Sequence, residues 1–323
     1  MSDKIRIAIV GYGNLGKGVE QQLAVNKDME LIGIFSRRKI ESQTGCPVYN
    51  IENMFEFKDK IDVAILCGGS ATDLPHQGPQ ICEMFNTVDS FDTHAKIPEY
   101  FASMNKIAVS NNKVATISVG WDPGLFSINR AYMEAILNNG NTYTFWGPGV
   151  SQGHSDAIRR LPGVIDAVQY TIPKEESIEL VRTGKAPSLS PRDKHNRVCY
   201  VVIEDNANKK TIEKAITNMP FYFDEYDTEV HFISMEELLL NHKKMAHGGF
   251  VIRSGNTGDA NQVMEYSLKL QSNPLFTSSV LIAYARATYR LYKKSDYGAK
   301  TVFDIAPSLL SNETSKELMK KLL

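Results

Sequence analysis

Gly11-Tyr12-Gly13-Asn14-Leu15-Gly16 spaces three glycines as G-x-G-x-x-G, a pattern whose chemistry is the binding of a dinucleotide pyrophosphate. Gly11 makes the tight turn, Gly13 lets the phosphates approach the backbone, and Gly16 lets the next helix pack closely on a sheet. The helix N-terminus then offers free N–H groups and a partial positive charge. A second cluster, Ser36-Arg37-Arg38, sets a hydroxyl and two guanidinium groups where an NAD site usually carries an acid. Charge-assisted, bidentate contacts of that kind suit a 2′-phosphate, so the expected cofactor is NADP. A third run, Cys67-Gly68-Gly69-Ser70-Ala71-Thr72, is a small-residue loop where the cofactor should lie, with Cys67 read as a packed thiol and not a nucleophile. Asp122, in Asp122-Pro123-Gly124, has two readings: a carboxylate facing the nicotinamide cleft, or the cap of a helix beginning near Pro123.

The elements that must position these groups follow from periodicity. Residues 5–10 read as a buried strand, and Asn14 onward as a helix with Leu15, Val19 and Leu23 near one face. Strands follow at 29–35, with Ser36-Arg37-Arg38 at the tip, at 61–67 and at 87–90. Helical spacing covers about 98–105, and 106–110 reads as a further strand. This alternation predicts an α/β, Rossmann-type parallel sheet with helices on both faces. After about Asn139 the texture changes. Alternation at 142–146, a glycine-rich loop at 147–154, strands at 167–172, 198–203 and 229–233, and helices at 175–182 and 209–219 suggest a second, α+β mixed-sheet domain. The polar segment 183–196 reads as a surface loop. A long helix is expected over 275–292, and the apolar tail 302–310 is expected to pack back on the first domain.

Bulk properties exclude other classes. In 323 residues, 36 basic and 37 acidic side chains leave a net charge of -1, so neither a nucleic acid nor a membrane surface is expected as partner. Cysteines 46, 67, 82 and 199 lack metal or disulfide spacing, so no metal is expected and a reducing cytoplasm is. No apolar run approaches the roughly 20 residues of a membrane span. The chain enters its first strand at once, leaving no room for a signal peptide, and a cytoplasmic location is the expectation.

The strings GYGNLG (11–16), IFSRR (34–38), GWDPG (120–124), FWGPG (145–149) and SQGHSDAIRR (151–160) together resemble the meso-diaminopimelate dehydrogenase family, over essentially the whole chain. The resemblance implies a dinucleotide-binding domain over 1–120 completed by about 298–323, a dimerisation region over 121–152 and 248–297, and a substrate domain over 153–247. It implies a homodimer that oxidatively deaminates the D-centre of meso-2,6-diaminopimelate with NADP, releasing ammonia. It also implies a substrate set of Asp92, Asp122, Trp146, Gln152, Gly153, Thr171, Arg197, His247 and Asn273. A substrate with two carboxylates and two amines needs donors for the former and acids for the latter. Arg197, Thr171 and His247 would hold the distal carboxylate. Asp92 and Asp122 would receive an ammonium group, with Asp122 the candidate to take the amine proton. Ala246 and Phe250, flanking His247, depart from the family's pattern and leave His247 in place. Two rivals stay open at this point: another NADP-linked amino- or keto-acid oxidoreductase, and a non-catalytic NADPH sensor.

Overall fold

The computed structural model describes residues 4–242, 244 and 246–323; positions 1–3, 243 and 245, which fall inside the expected domain ranges, lie outside the described residues. Two compact units emerge. Unit 1 is Met1–Ile128 with Pro274–Leu323, and unit 2 is Asn129–Asn273. The chain enters unit 1 with β1 (Ile5–Val10), α1 (Asn14–Leu23), β2 (Met29–Ser36), β3 (Val48–Asn50), β4 (Val63–Leu66), α2 (Leu74–Cys82), β5 (Asn86–Asp89), α3 (Ile97–Ser110) and β6 (Val114–Thr116). Next come α4 (Leu125–Ile136), β7 (Gly140–Trp146), β8 (Gly149–Val150), α5 (Gln152–Arg159), β9 (Val164–Pro173), α6 (Glu175–Arg182) and α7 (Pro191–Lys194). Then follow β10 (His195–Ile203), α8 (Lys209–Thr217), β11 (Asp227–Phe232), α9 (Met235–Asn241), β12 (His247–Thr257) and β13 (Ala260–Leu270). The return is through α10 (Asn273–Lys293), β14 (Gly298–Lys300), α11 (Pro307–Leu310) and α12 (Ser315–Leu322).

Unit 1 is built on a parallel seven-stranded sheet, order β14-β6-β5-β4-β1-β2-β3. The two-residue period of β1 explains its two-sided core. Ile5, Ile7 and Ile9 face one layer with Val19 and Leu23 of α1 and Leu281, Tyr284 and Ala285 of α10. Ala8 and Val10 face the other, with Leu74 and Ile81 of α2 and Tyr100, Met104 and Ala108 of α3. Burying each large aliphatic side chain contributes about 1.5–3 kcal/mol; the one charged residue of the run, Arg6, is only partly buried and is paired with Asp62. β1 lies between β2 and β4, so the connections after β1 and β4 part company at the carboxyl edge and open a crevice there. The tail returns as expected: Val302 and Ile305 are buried in the α1-side core, with Leu309 and Leu310 packed against it.

Three local readings are corrected. Residues 106–110 are the end of α3, not a strand; Tyr100, Met104 and Ala108, four apart, keep one helix face buried, and the true strand is Val114–Thr116. α4 begins at Leu125, so Pro123 precedes it, following a cis Asp122–Pro123 peptide. The segment 183–196 is not all loop. Ser190 and Asp193 form a reciprocal cap on α7, and His195 and Asn196 already belong to β10.

Unit 2 has two sheets. One runs β11-β10-β9-β8, with α5 and α8 packed over Ala167, Cys199 and Val201 through Ile158, Ile212 and Ile216. The other is antiparallel, β13-β12-β7, and its Tyr143, Phe145 and Ile252 pack with Ile178 and Val181 of α6. The β12–β13 hairpin turns at Gly258-Asp259, where Gly258 has φ +58°.

Candidate active site

In unit 1 the crevice at the ends of β1, β2 and β4 is a cleft of ≈ 500 Å³ walled by Gly11, Tyr12, Gly13, Ser36, Arg37, Arg38, Cys67, Gly68 and Gly69. The glycines differ in what they permit. At Gly11, φ is +89°, and a Cβ would stand 3.2 Å from the Cys67 backbone. At Gly16 a Cβ would lie 2.3 Å from the Gly11 carbonyl oxygen, so this residue exists for close packing of α1. At Gly13 a Cβ would meet nothing within 4 Å. That open space, over the N-terminus of α1 and beside the hydroxyl and guanidinium groups at the tip of β2, fits a dinucleotide with a 2′-phosphate.

The remaining expected cofactor residues sit around this cleft in other ways. Asn14 and Leu15 open α1, and Leu15 packs against the core. The Ser70 hydroxyl accepts from the Asp92 N–H (3.2 Å), joining the loop that holds Ala71 and Thr72 to the loop after β5. Burial holds the Cys67 thiol up at about 12, consistent with packing. Glu20 of α1 pins the loop after Arg38. It accepts from the Tyr12 hydroxyl, the Ser42 hydroxyl, the Gln43 N–H (3.1 Å) and the Thr44 N–H (3.0 Å) and hydroxyl (2.6 Å). Burial works against its charge, but the donors from Ser42, Thr44 and Tyr12 outweigh that and hold it down at about 2.

Asp92 and Asp122 also belong to unit 1. Both follow the buried acid Asp89, at the end of β5. Asp89 Oδ1 accepts from the Phe91 N–H (2.9 Å) and the Ser118 N–H (3.1 Å), while Oδ2 accepts from the Tyr100 hydroxyl (2.8 Å). One carboxylate therefore fixes the departure of both acid-bearing loops. Burial raises Asp89 to about 6 despite its three donors. The Asp122 loop is closed on itself: Gly124 has φ +135°, and a Cβ there would stand 1.9 Å from the Gly120 carbonyl oxygen.

Unit 2 carries Trp146, Gln152, Gly153, Thr171, Arg197, His247 and Asn273. Arg197 and Thr171 are paired across β10 and β9, and both are buried. An Arg197 Nη1–H donates to the Thr171 hydroxyl, the guanidinium lies over the Tyr226 ring, and its buried Nε has no hydrogen-bond partner among the described residues. Burial lowers the Arg197 pKa. Trp146 donates its backbone N–H to His195 Nε2 (2.8 Å) and stacks on that ring at 5.5 Å. At Gly149 a Cβ would meet His247 at 2.6 Å, so the glycine lets β8 lie against that histidine, whose Nδ1 accepts from the Gly248 N–H (2.8 Å). Gln152 and Gly153 open α5, with nothing within 4 Å of a Cβ at Gly153. Asn273 opens α10.

Sequence reasoning missed Asp73, Asp89, His154, His195 and Tyr226. His154 sits 2.7 Å from the Ser151 hydroxyl and edge-on to Tyr222 and Phe223. Burial, and then the Arg197 charge, lower His154 to about 4 and His195 to about 3, so both rings are neutral at pH 7. His154 lies inside SQGHSDAIRR and was visible there; Tyr226 is 29 residues from Arg197 and carries no local signal. Among the described residues no group of three or more His, Cys, Asp or Glu is arranged to hold a metal, and no helix is long and apolar enough to cross a membrane.

Residues 120–272 match the diaminopimelic acid dehydrogenase C-terminal domain. The meso-diaminopimelate D-dehydrogenase of Ureibacillus thermosphaericus is 59% identical over 324 residues, covering 99% of each chain. The C. glutamicum DAP dehydrogenase in complex with DAP superposes with a TM-score of 0.95 at 47% identity, over 99% of each chain. An engineered D-amino acid dehydrogenase bound to NADP+ superposes with a TM-score of 0.89 at 45% identity, over 99% of this chain and 100% of that one.

Proposed function

We infer the function from one premise: the chain belongs to the meso-diaminopimelate D-dehydrogenase family. It is an NADP-dependent oxidoreductase that oxidatively deaminates the D-centre of meso-2,6-diaminopimelate to L-2-amino-6-oxopimelate, which cyclises to tetrahydrodipicolinate, with release of ammonia. The observation that carries the reading at the level of chemistry is the buried Arg197–Thr171 pair, a cation with donors to spare placed where an anionic group is to be held.

The roles of the residues follow from their chemistry. NADP supplies the hydride acceptor. Gly11, Gly13 and the first N–H groups of α1 hold its pyrophosphate, and Ser36, Arg37 and Arg38 hold its 2′-phosphate. Arg197, Thr171 and His247 hold the distal substrate carboxylate, with Trp146, Gln152, Gly153 and Asn273 completing the substrate-binding set. Asp92 and Asp122 receive the reacting ammonium, and Asp122 takes its proton, because only the neutral amine can push out a hydride.

The working form is a homodimer in the cytoplasm, with 121–152 and 248–297 as the dimerisation region, 153–247 as the substrate domain, and 1–120 with about 298–323 as the dinucleotide domain. Exposed Tyr132 and Ile136 on α4 and Val263 on β13 support an interface in that region. The test of function is NADP reduction with meso-diaminopimelate beside its LL and DD isomers, with ammonia assayed. Turnover of the meso form with stoichiometric ammonia is expected. No turnover of the meso form would overturn the reading.

A further inference from the structure

Arg37 is one of two guanidinium groups at the tip of β2, and its side chain is 65% exposed. A long, exposed cation normally samples many rotamers and loses that freedom when it binds an anion. Here it is already held. Its Nη2 donates to Asp73 Oδ1 at 2.6 Å. Asp73, at the start of α2, is itself fixed: its Oδ2 accepts from the Gly69 N–H at 2.9 Å, and its backbone N–H donates to the Gly69 carbonyl at 2.8 Å. Gly68 has no side chain because Asp73 occupies that space; a Cβ there would stand 2.7 Å from the Asp73 Cβ. One carboxylate oxygen is thus committed to the loop after β4, and the other aims at the residue after β2. Both residues wall the cofactor cleft.

We propose that Asp73 is a positioning residue that sets the Arg37 guanidinium for the 2′-phosphate of NADP, and so takes part in the choice of NADP over NAD. The proposal rests on the reading of Arg37 as a 2′-phosphate contact. An acid beside a phosphate site is unfavourable by charge alone. A cation bonded through a single Nη2–H, however, keeps its other N–H groups for the phosphate while its conformational freedom is already spent. Removing such pre-organisation of one rotamer-rich side chain weakens binding by roughly three- to tenfold. NAD, which lacks the 2′-phosphate, does not draw on it.

The test is the dissociation constants of NADP and NAD, by calorimetry on the full-length protein, for wild type, Asp73→Asn, Arg37→Ala and the double variant. In Asp73→Asn the amide oxygen can still accept from the Gly69 N–H while the NH2 group offers Arg37 no acceptor, so the loop is kept and the aim is lost. The expected result is NADP binding weakened roughly three- to tenfold, NAD binding changed less than about twofold, and no further NADP loss when Asp73→Asn is added to Arg37→Ala. Tighter or unchanged NADP binding overturns the proposal, as does equal loss for both cofactors, which is what a purely structural loop role produces. Full additivity in the double variant also overturns it. If Arg37→Ala itself spares the preference for NADP, the reading of Arg37 fails and this proposal falls with it; if Arg37→Ala abolishes the preference and Asp73→Asn does not weaken it, only the proposal fails. Asp73→Glu is the fold control. It keeps the charge and moves the oxygens by one methylene, so it should retain the melting temperature and lose part of the preference.

Discussion

The guanidinium carbon of Arg197 lies over the Tyr226 ring, 4.0 Å from its centroid, against a π-system instead of an acid. It donates to the Thr171 hydroxyl, and among the described residues no carboxylate neutralises it in an ion pair. Such a charge, at 5% exposure, is poorly compensated in the protein alone.

That relationship makes activity and stability move apart. Arg197→Lys keeps the charge and loses the planar fork, and should lower kcat/KM for meso-diaminopimelate by about 2–5 kcal/mol of transition-state stabilisation. NADP affinity should be unchanged. Arg197→Met removes an under-paired buried charge and should melt at or above the wild-type temperature while losing turnover. Near-native kcat/KM for the lysine variant would show that Arg197 is not the carboxylate clamp. A lower melting temperature for the methionine variant would make it part of the structural network.

Cofactor choice is the second expectation. Replacing Arg37 and Arg38 together by alanine should weaken NADP by about 1.5–3 kcal/mol per lost charge-assisted contact, or roughly ten- to a hundredfold each, and leave NAD nearly untouched. Equal weakening of both cofactors in a titration would assign the pair to the fold.

The glycines of the turn separate binding from folding. Gly13→Ala meets open space and should leave the melting temperature of the cofactor-free protein within about 2 °C. It should weaken NADP roughly ten- to a hundredfold, because the methyl occupies the pyrophosphate's approach. Gly16→Ala drives a Cβ into the Gly11 carbonyl and should destabilise by about 1–3 kcal/mol whether or not cofactor is present. Thermal melts of both variants, with and without NADP, read the two effects; a destabilised cofactor-free Gly13→Ala would contradict the open-cradle reading.

Buried titratable groups give the two units opposite pH responses. Asp89 is raised from 3.8 to about 6, so its protonated form is favoured in the folded state; its contribution is full below about pH 4 and is lost as pH rises through 6. His154 and His195 are lowered from 6.5 to about 4 and about 3. Their contribution is full above pH 6.5 and is lost as pH falls toward those values. Between pH 4 and 6.5, melting temperature relative to wild type should therefore rise with pH for Asp89→Asn and fall with pH for His154→Gln. Parallel pH profiles for wild type and variants would remove these groups from the titration.

The first unit was largely readable because its central strands are buried on both faces, so runs such as Val63–Leu66 are apolar throughout and lead into turn glycines. The segment 106–110 was misread because its β-branched residues have strand propensity, while the packing of Met104 and Ala108 holds it in a helix. The hairpin of β12 and β13 escaped notice although Met264–Leu270 alternates apolar and polar residues; Gly258-Asp259, between the two strands, was the available turn signal. In the candidate site, the groups that a motif announces, such as Gly11, Gly13 and Arg37, were legible from spacing. Asp73, Asp89 and Tyr226 act on partners far along the chain, through contacts that only the folded backbone creates.

The core of unit 1 is shared between the two ends of the polypeptide: α1 packs with Leu281, Tyr284 and Ala285, and β14 forms the edge of the sheet beside β6. During synthesis, then, the dinucleotide fold cannot close when its own first 128 residues have left the ribosome. Its missing layer is still unmade, while all of Asn129–Asn273 emerges in between. A nascent or prematurely terminated chain lacks the α10 layer and leaves Ile5, Ile7 and Ile9 uncovered on that side. Competence to hold the cofactor is thereby tied to synthesis of the segment from Pro274 onward, and a product truncated before it exposes the apolar surface by which quality-control chaperones and proteases recognise unfolded chains.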